Sequence, residues 1–157
     1  MKKKRFITDP VIIDEIQKLV DENDGVLMPE AVVESATPEE SPLHKYFTWD
    51  DTAAAHKYRM EEARGLLQIV VRVIERPKAN PIYMRVVTSL TSDRSHGGGY
   101  RLTTNVLSEK DLRAQFIQDA LDEMRSFRRK YEGIIELVDV FAAMAAAERR
   151  LARRIKN

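Results

Sequence analysis

The residues of this chain best suited to chemistry are its arginines, because they come in blocks. Arg149, Arg150, Arg153 and Arg154 crowd together beside Lys156; Arg125, Arg128 and Arg129 stand beside Lys130; Lys2, Lys3, Lys4 and Arg5 form a third block. A guanidinium is planar, permanently charged and able to donate two parallel hydrogen bonds to phosphate oxygens. Contacts of that kind hold a protein on nucleic acid without reading its bases. On a helix, Arg153 and Arg154 would also complement the negative end of the macrodipole, a purely structural role that competes with phosphate binding.

The glycine cluster 95–100, Ser-His-Gly-Gly-Gly-Tyr, adds Arg94, His96 and Arg101 on either side of what reads as a flexible hairpin tip. It has neither Walker A nor dinucleotide spacing, and a strand pattern follows it, so no row of helix amides converges on a phosphate. The expected nucleic-acid surface is therefore Lys2, Lys3, Lys4, Arg5, Arg94, Arg101, Arg125, Arg128, Arg129, Arg149, Arg150, Arg153 and Arg154.

Other chemistries find less support. The three histidines, His44, His56 and His96, lack the spacing that would put two on one helix face, so no metal site is expected. Glu39-Glu40, Asp50-Asp51 and Glu61-Glu62 read as solvated or capping carboxylates, and no serine sits in a nucleophile elbow. The chain has no cysteine, which removes disulfides, thiolate metal sites and a cysteine nucleophile. No reaction and no cofactor is assigned.

Behind these motifs lies a strongly segregated charge. The 157 residues sum to only +1, yet residues 6–62 carry four bases against fourteen acids while 63–105 carry seven against two. Such asymmetry points to a polar partner, or to one part docking on another. The acidic stretch also argues against a helix-turn-helix at residues 10–48, because 28–47 holds one lysine, no arginine and four glutamates. That stretch suits an acidic docking face. Acids at Asp9, Asp14 and Glu15 interrupt any leader-like apolar run, no stretch is long enough to span a membrane, and a cytoplasmic protein is expected.

The elements that must position these groups follow from the apolar pattern. Asp9-Pro10 opens a helix whose stripe is Val11, Ile12, Ile16, Leu19 and Val20, and Asn23-Asp24-Gly25 stops it. A short helix follows Met28-Pro29, and the aromatic segment 43–49 reads as buried. Asp50 and Asp51 cap a helix to about Leu67 with Ala55, Tyr58, Met60, Ala63, Leu66 and Leu67 inward. Residues 69–75, 82–90 and 100–107 read as strands of a three-stranded antiparallel meander, with the glycine loop joining the last two.

The last third is a heptad-patterned helix. Ser108 caps it, and Ile117, Ala120, Met124, Phe127, Tyr131, Ile134, Val138, Phe141 and Ala145 recur at steps of three and four. As one helix, residues 109–155 would be about 70 Å long, against roughly 40 Å for a compact monomer of this size. Either the helix breaks near Gly133 and folds back, or it packs along a second chain. A homo-oligomer interface is expected at Ile117, Met124, Phe127, Tyr131, Ile134, Val138 and Phe141.

Three stretches, MPEAVVESATPEESPL at 28–43, FTWDDTAAAHKYRMEEA at 47–63 and 100–141, resemble small proteins of unassigned function encoded by tailed bacteriophages and prophages. The resemblance implies DNA binding, virion assembly or interference with a host protein, and transfers no site residues. The sequence thus reads as an α+β, predominantly helical chain. Residues 1–107 would form the helical region and meander, and 108–157 the oligomerisation helix with a basic tail. The expected function is non-enzymatic binding of duplex DNA by a homo-oligomer. The alternative is a protein-interaction module, an adaptor, assembly factor or inhibitor, that meets a host or phage protein through the acidic face.

Overall fold

A computed structural model describes residues 6–49 and 53–155. The fold is α+β and mainly helical. The chain divides into two compact units, Met1–Val106 and Leu107–Asn157.

In the first unit, α1 spans Pro10–Glu22. Asp9 caps it by accepting from Val11 N at 3.0 Å, and Pro10 supplies a first residue that needs no hydrogen-bond acceptor. Its buried side is Ile12, Ile13, Ile16, Leu19 and Val20. The helix ends where Gly25, at φ +82°, donates to Val20 O over 2.9 Å, a left-handed closure that glycine adopts without steric cost. Helix α2, Pro29–Ala36, turns Val32, Val33 and Ala36 into the same core. Beyond it, a single 3-10 turn, His44–Tyr46, lies between the buried Leu43 and Phe47. His44 Nδ1 donates to Ala36 O at 2.9 Å, Trp49 Nε1 donates to His44 O at 3.0 Å, and the two rings stack at 4.7 Å.

Helix α3, Ala53–Ile69, buries Ala55, Met60, Ala63, Leu66 and Leu67. Its Glu62 accepts from Thr48 N and Oγ1 at 2.9 and 2.8 Å, fastening the aromatic segment to the helix. Tyr58, expected inward, is exposed because its position falls on the opposite side from Met60 and Ala63. The proposed cap at Asp50 and Asp51 lies outside the described residues.

The meander is replaced by two separate two-stranded sheets. Strand β1, Val71–Arg76, pairs antiparallel with β2, Ala79–Arg85, and β3, Val87–Thr88, pairs antiparallel with β4, Arg101–Leu102. The expected single strand 82–90 divides at Val86. There the amide donates to Val70 O at 3.1 Å and the carbonyl accepts from Thr103 N at 2.9 Å, so one residue joins both sheets. Val86, Val87 and Thr88 turn into the core, whereas most of β1 and β2 stay outside it. The third expected strand is cut short at Leu102, because Thr103–Ser108 forms α5.

The second unit is a helical hairpin. Helix α6 runs Lys110–Tyr131, a 3-10 turn covers Ile135–Leu137, and α7 runs Val138–Ile155. The heptad stretch therefore breaks at Gly133 and folds back. Its direction follows from contacts that shorten in sequence toward the turn. Ile117 and Leu151 line one groove, Arg125 meets Glu148, and Phe127 meets Phe141 at 6.4 Å between ring centroids. Glu109 rather than Ser108 stands at the amino-terminal cap of α6, because α5 occupies residues through Ser108. Among the described residues, no helix is long and apolar enough to cross a membrane.

Candidate functional site

The glycine loop is the first site to look different in three dimensions. Instead of a free hairpin tip, residues Thr91–Arg94 form a helical turn, α4, and the loop is fastened at several points. Asp93, with a side chain only 5% exposed, accepts from Arg101 Nε at 3.0 Å and Nη2 at 2.8 Å, and from Leu90 N at 3.3 Å. Its carbonyl takes the amides of His96 and Gly98, and Gly98 needs φ +90° to deliver that bond. Leu27 and Tyr100 exchange backbone hydrogen bonds of 2.7 and 2.8 Å, and a Cβ on Gly99 would collide with Val26. Arg101 thus spends its guanidinium on a buried carboxylate, a charge-assisted pair that fixes the loop. Arg94 is exposed and donates to Ser89 O at 3.2 Å.

The histidines serve local structure in the same way. His44 closes the end of α2, His96 Nδ1 donates to Ser92 O at 2.8 Å, and His56 is exposed on α3. Among the described residues, no three His, Asp or Glu side chains come together as metal ligands would.

In the hairpin, the arginines divide into two kinds. Arg125 is tied to Glu148 and to Asp122, with Nε–Oε1 at 2.6 Å and Nη1–Oδ1 at 2.9 Å. Hydrogen bonds to Glu148 and then Asp122 raise its pKa above the usual guanidinium range. Arginine is charged far above neutral pH, so this pairing does not change with pH near neutrality. Arg129 donates to Ser126 Oγ at 2.9 Å, and Lys130 lies 5.2 Å from the Tyr131 ring centroid. Arg128, Arg149, Arg150 and Arg153 are exposed, and none makes an ion pair with a described residue. Arg154 lies in α7, but its side chain, like Lys2, Lys3, Lys4 and Arg5, falls outside what is described.

The fold-back adds two cations that sequence reasoning passed over. Lys110 and Arg113, exposed in the first turns of α6, belong to the end of the hairpin where α7 finishes. They rim a groove of about 400 Å³ whose apolar lining is Leu107, Ala114, Ile117 and Leu151. With Arg149, Arg150 and Arg153 they outnumber the acids Asp111 and Asp119 of that half of α6 and Glu109 at its cap. Only a break at Gly133 brings them together, and the heptad phase runs through that glycine unchanged.

The expected oligomer interface is dispersed in exposure. Ile117, Met124, Tyr131 and Phe141 are half-buried, whereas Phe127, Ile134 and Val138 are exposed. Leu121, next to the seam position Ala120, is the one fully buried side chain of the hairpin among the described residues, 2% exposed. Fold-back packing centres the contact between the helices on Leu121, Met124, Met144 and Ala145, and leaves Phe127, Ile134 and Val138 of the seam exposed.

Basic residues also collect on the β1–β2 ribbon, where Arg72, Arg76, Lys78 and Arg85 are all exposed. The basic excess of residues 63–105 was the available signal, but sequence reasoning assigned it to Arg94 and Arg101. Compared with known proteins, the chain matches no family model, no curated protein and no solved structure.

Proposed function

We propose that this protein is a non-enzymatic DNA-binding homo-oligomer of the phage type, which holds duplex DNA mainly through its phosphates. The observation that carries the reading is the gathering of Lys110, Arg113, Arg149, Arg150 and Arg153, all exposed, at one end of the helical hairpin. Exposed arginines on a rigid helix offer bidentate grips to phosphate oxygens and no base discrimination. The outward-facing Phe127, Ile134, Ile135 and Val138 supply the surface for self-association, since a two-helix hairpin with one buried side chain among the described residues has little core of its own. The test is salt. Binding to a short duplex should weaken steeply between about 50 and 200 mM salt, and Arg149, Arg150, Arg153 and Arg154 replaced by alanine should abolish it while leaving the oligomer intact. No binding at low salt would sink the reading.

A second reading rests on a separate observation. Glu30, Glu34, Glu39 and Glu40 on α2 and the turn after it are exposed and make no ion pair with a described residue. They form the acidic face of an adaptor, assembly factor or inhibitor that docks on a basic host or phage protein. A partner retained from bacterial lysate by the native protein and lost when these glutamates become lysines would favour it over DNA binding.

A further inference from the structure

We infer that the β1–β2 ribbon is an arm that lies in the major groove of duplex DNA. The inference rests on the DNA-binding reading above but uses none of its residues.

The ribbon leaves most of both faces exposed, with Phe6 stacked on Tyr83 of one face at 5.6 Å between ring centroids. Val71 is buried at its root, and Tyr83 is 51% exposed near its middle. Cross-strand pairs Val73–Tyr83 on one face and Ile74–Ile82 on the other hold it, together with a tight turn at Pro77-Lys78, where Lys78 adopts φ +62°. Exposed ribbons of this kind ordinarily recruit another strand, and here both edges are spoiled for that purpose. Pro81 removes an amide from β2, and β1 carries a bulge between Ile74 and Arg76. A protein strand is therefore a poor occupant.

Charge favours a polyanion instead. Residues 71–85 hold Arg72, Arg76, Lys78 and Arg85 against the single acid Glu75. Arg72 is turned back to Gln17 Oε1 at 3.2 Å. Arg76 is held near the tip, donating from Nε and Nη2 to Asn80 O at 2.9 and 2.7 Å. Lys78 and Arg85 make no ion pair with a described residue. Three cations thus run from tip to root. Dimensions select the groove: two strands about 4.8 Å apart, with side chains on both faces, fit the major groove of about 12 Å and not the minor groove of about 6 Å. Inside it, Ile74 and Ile82 can meet thymine methyl groups while the cations reach the flanking phosphates.

The test is anisotropy of a labelled duplex with the full-length protein and the triple substitution Arg76→Gln, Lys78→Gln, Arg85→Gln. These side chains are exposed, so the thermal midpoint should match the native protein and serve as the folding control. Binding should weaken by about tenfold or more, and the slope of log affinity against log salt should shrink by between about 2 and 3, near 0.9 for each phosphate lost. Arg76→Lys with Arg85→Lys should keep most of the affinity. Methyl green, which fills the major groove, should compete, and netropsin, which fills the minor groove, should not; the reverse order overturns the groove assignment. Unchanged affinity and slope overturn the arm, as does a change of oligomeric mass in the triple variant, which would make the ribbon a protein contact. A native protein that fails to bind at all removes both readings, whereas native binding that survives the triple substitution removes this one alone.

Discussion

The two units solve the problem of burial in different ways. The first gathers Ile12, Ile16, Val20, Leu27, Val32, Leu43, Leu67 and Val70 into one core, each almost fully removed from water. The second, of similar apolar content, buries Leu121 and leaves Phe127, Ile134, Ile135, Val138 and Val140 exposed. Local periodicity is equally clear in both, so pattern strength is not what separates them. A helix stripe is buried when its neighbours cover its full width, and a single partner helix covers only part of a wide one.

That contrast is sharpest if self-association supplies the missing cover. The largest effect should come from Phe127→Asp with Val138→Asp, which puts charge on the outward seam. The oligomer is expected to fall to the mass of one chain, seen by light scattering, with the helicity of the hairpin lost and the first unit unchanged. In the native protein, hairpin melting should then rise with protein concentration while melting of the first unit does not. Ile16→Ala should act in the opposite compartment, lowering the stability of the first unit by about 2–5 kcal/mol in denaturant titration, without altering oligomeric mass. Gly99→Ala forces a methyl group against Val26, and a cost of about 1–3 kcal/mol is expected in the same titration. The smallest effect is Asp9→Ala, about 1 kcal/mol for the lost cap of α1; no change there would mean that Pro10 alone sets the start of the helix.

How much was legible in the sequence depended on whether the deciding interaction was local. Most of helix α1 could be read, from Asp9-Pro10 to Gly25, because cap, stripe and stop each act over no more than about five residues, although Val11 of the expected stripe is exposed and Ile13 is buried instead. Strand 82–90 could be recognised as extended but not as two strands. β propensity does not say that Val86 will donate to Val70 and accept from Thr103, two partners far away in sequence. Residues 103–108 show the converse, a helix of Thr-Thr-Asn-Val-Leu-Ser that forms against weak local helix preferences, with Thr103 and Val106 buried. At the candidate site, the basic blocks on α6 and α7 were visible, whereas Lys110 and Arg113 joined them only through the fold-back. Arg101 read as a phosphate ligand because its acid partner, Asp93, sits eight residues away across a loop with no periodicity.

The stacked pair of Trp49 and His44 carries a practical consequence. Trp49 is the chain's single tryptophan, and it is packed against the core of the first unit. Its emission therefore watches that unit alone, while far-ultraviolet circular dichroism is dominated by the helices of both. One denaturation experiment with two optical signals can then resolve whether the molecule comes apart in one step or two, without a label or a truncation.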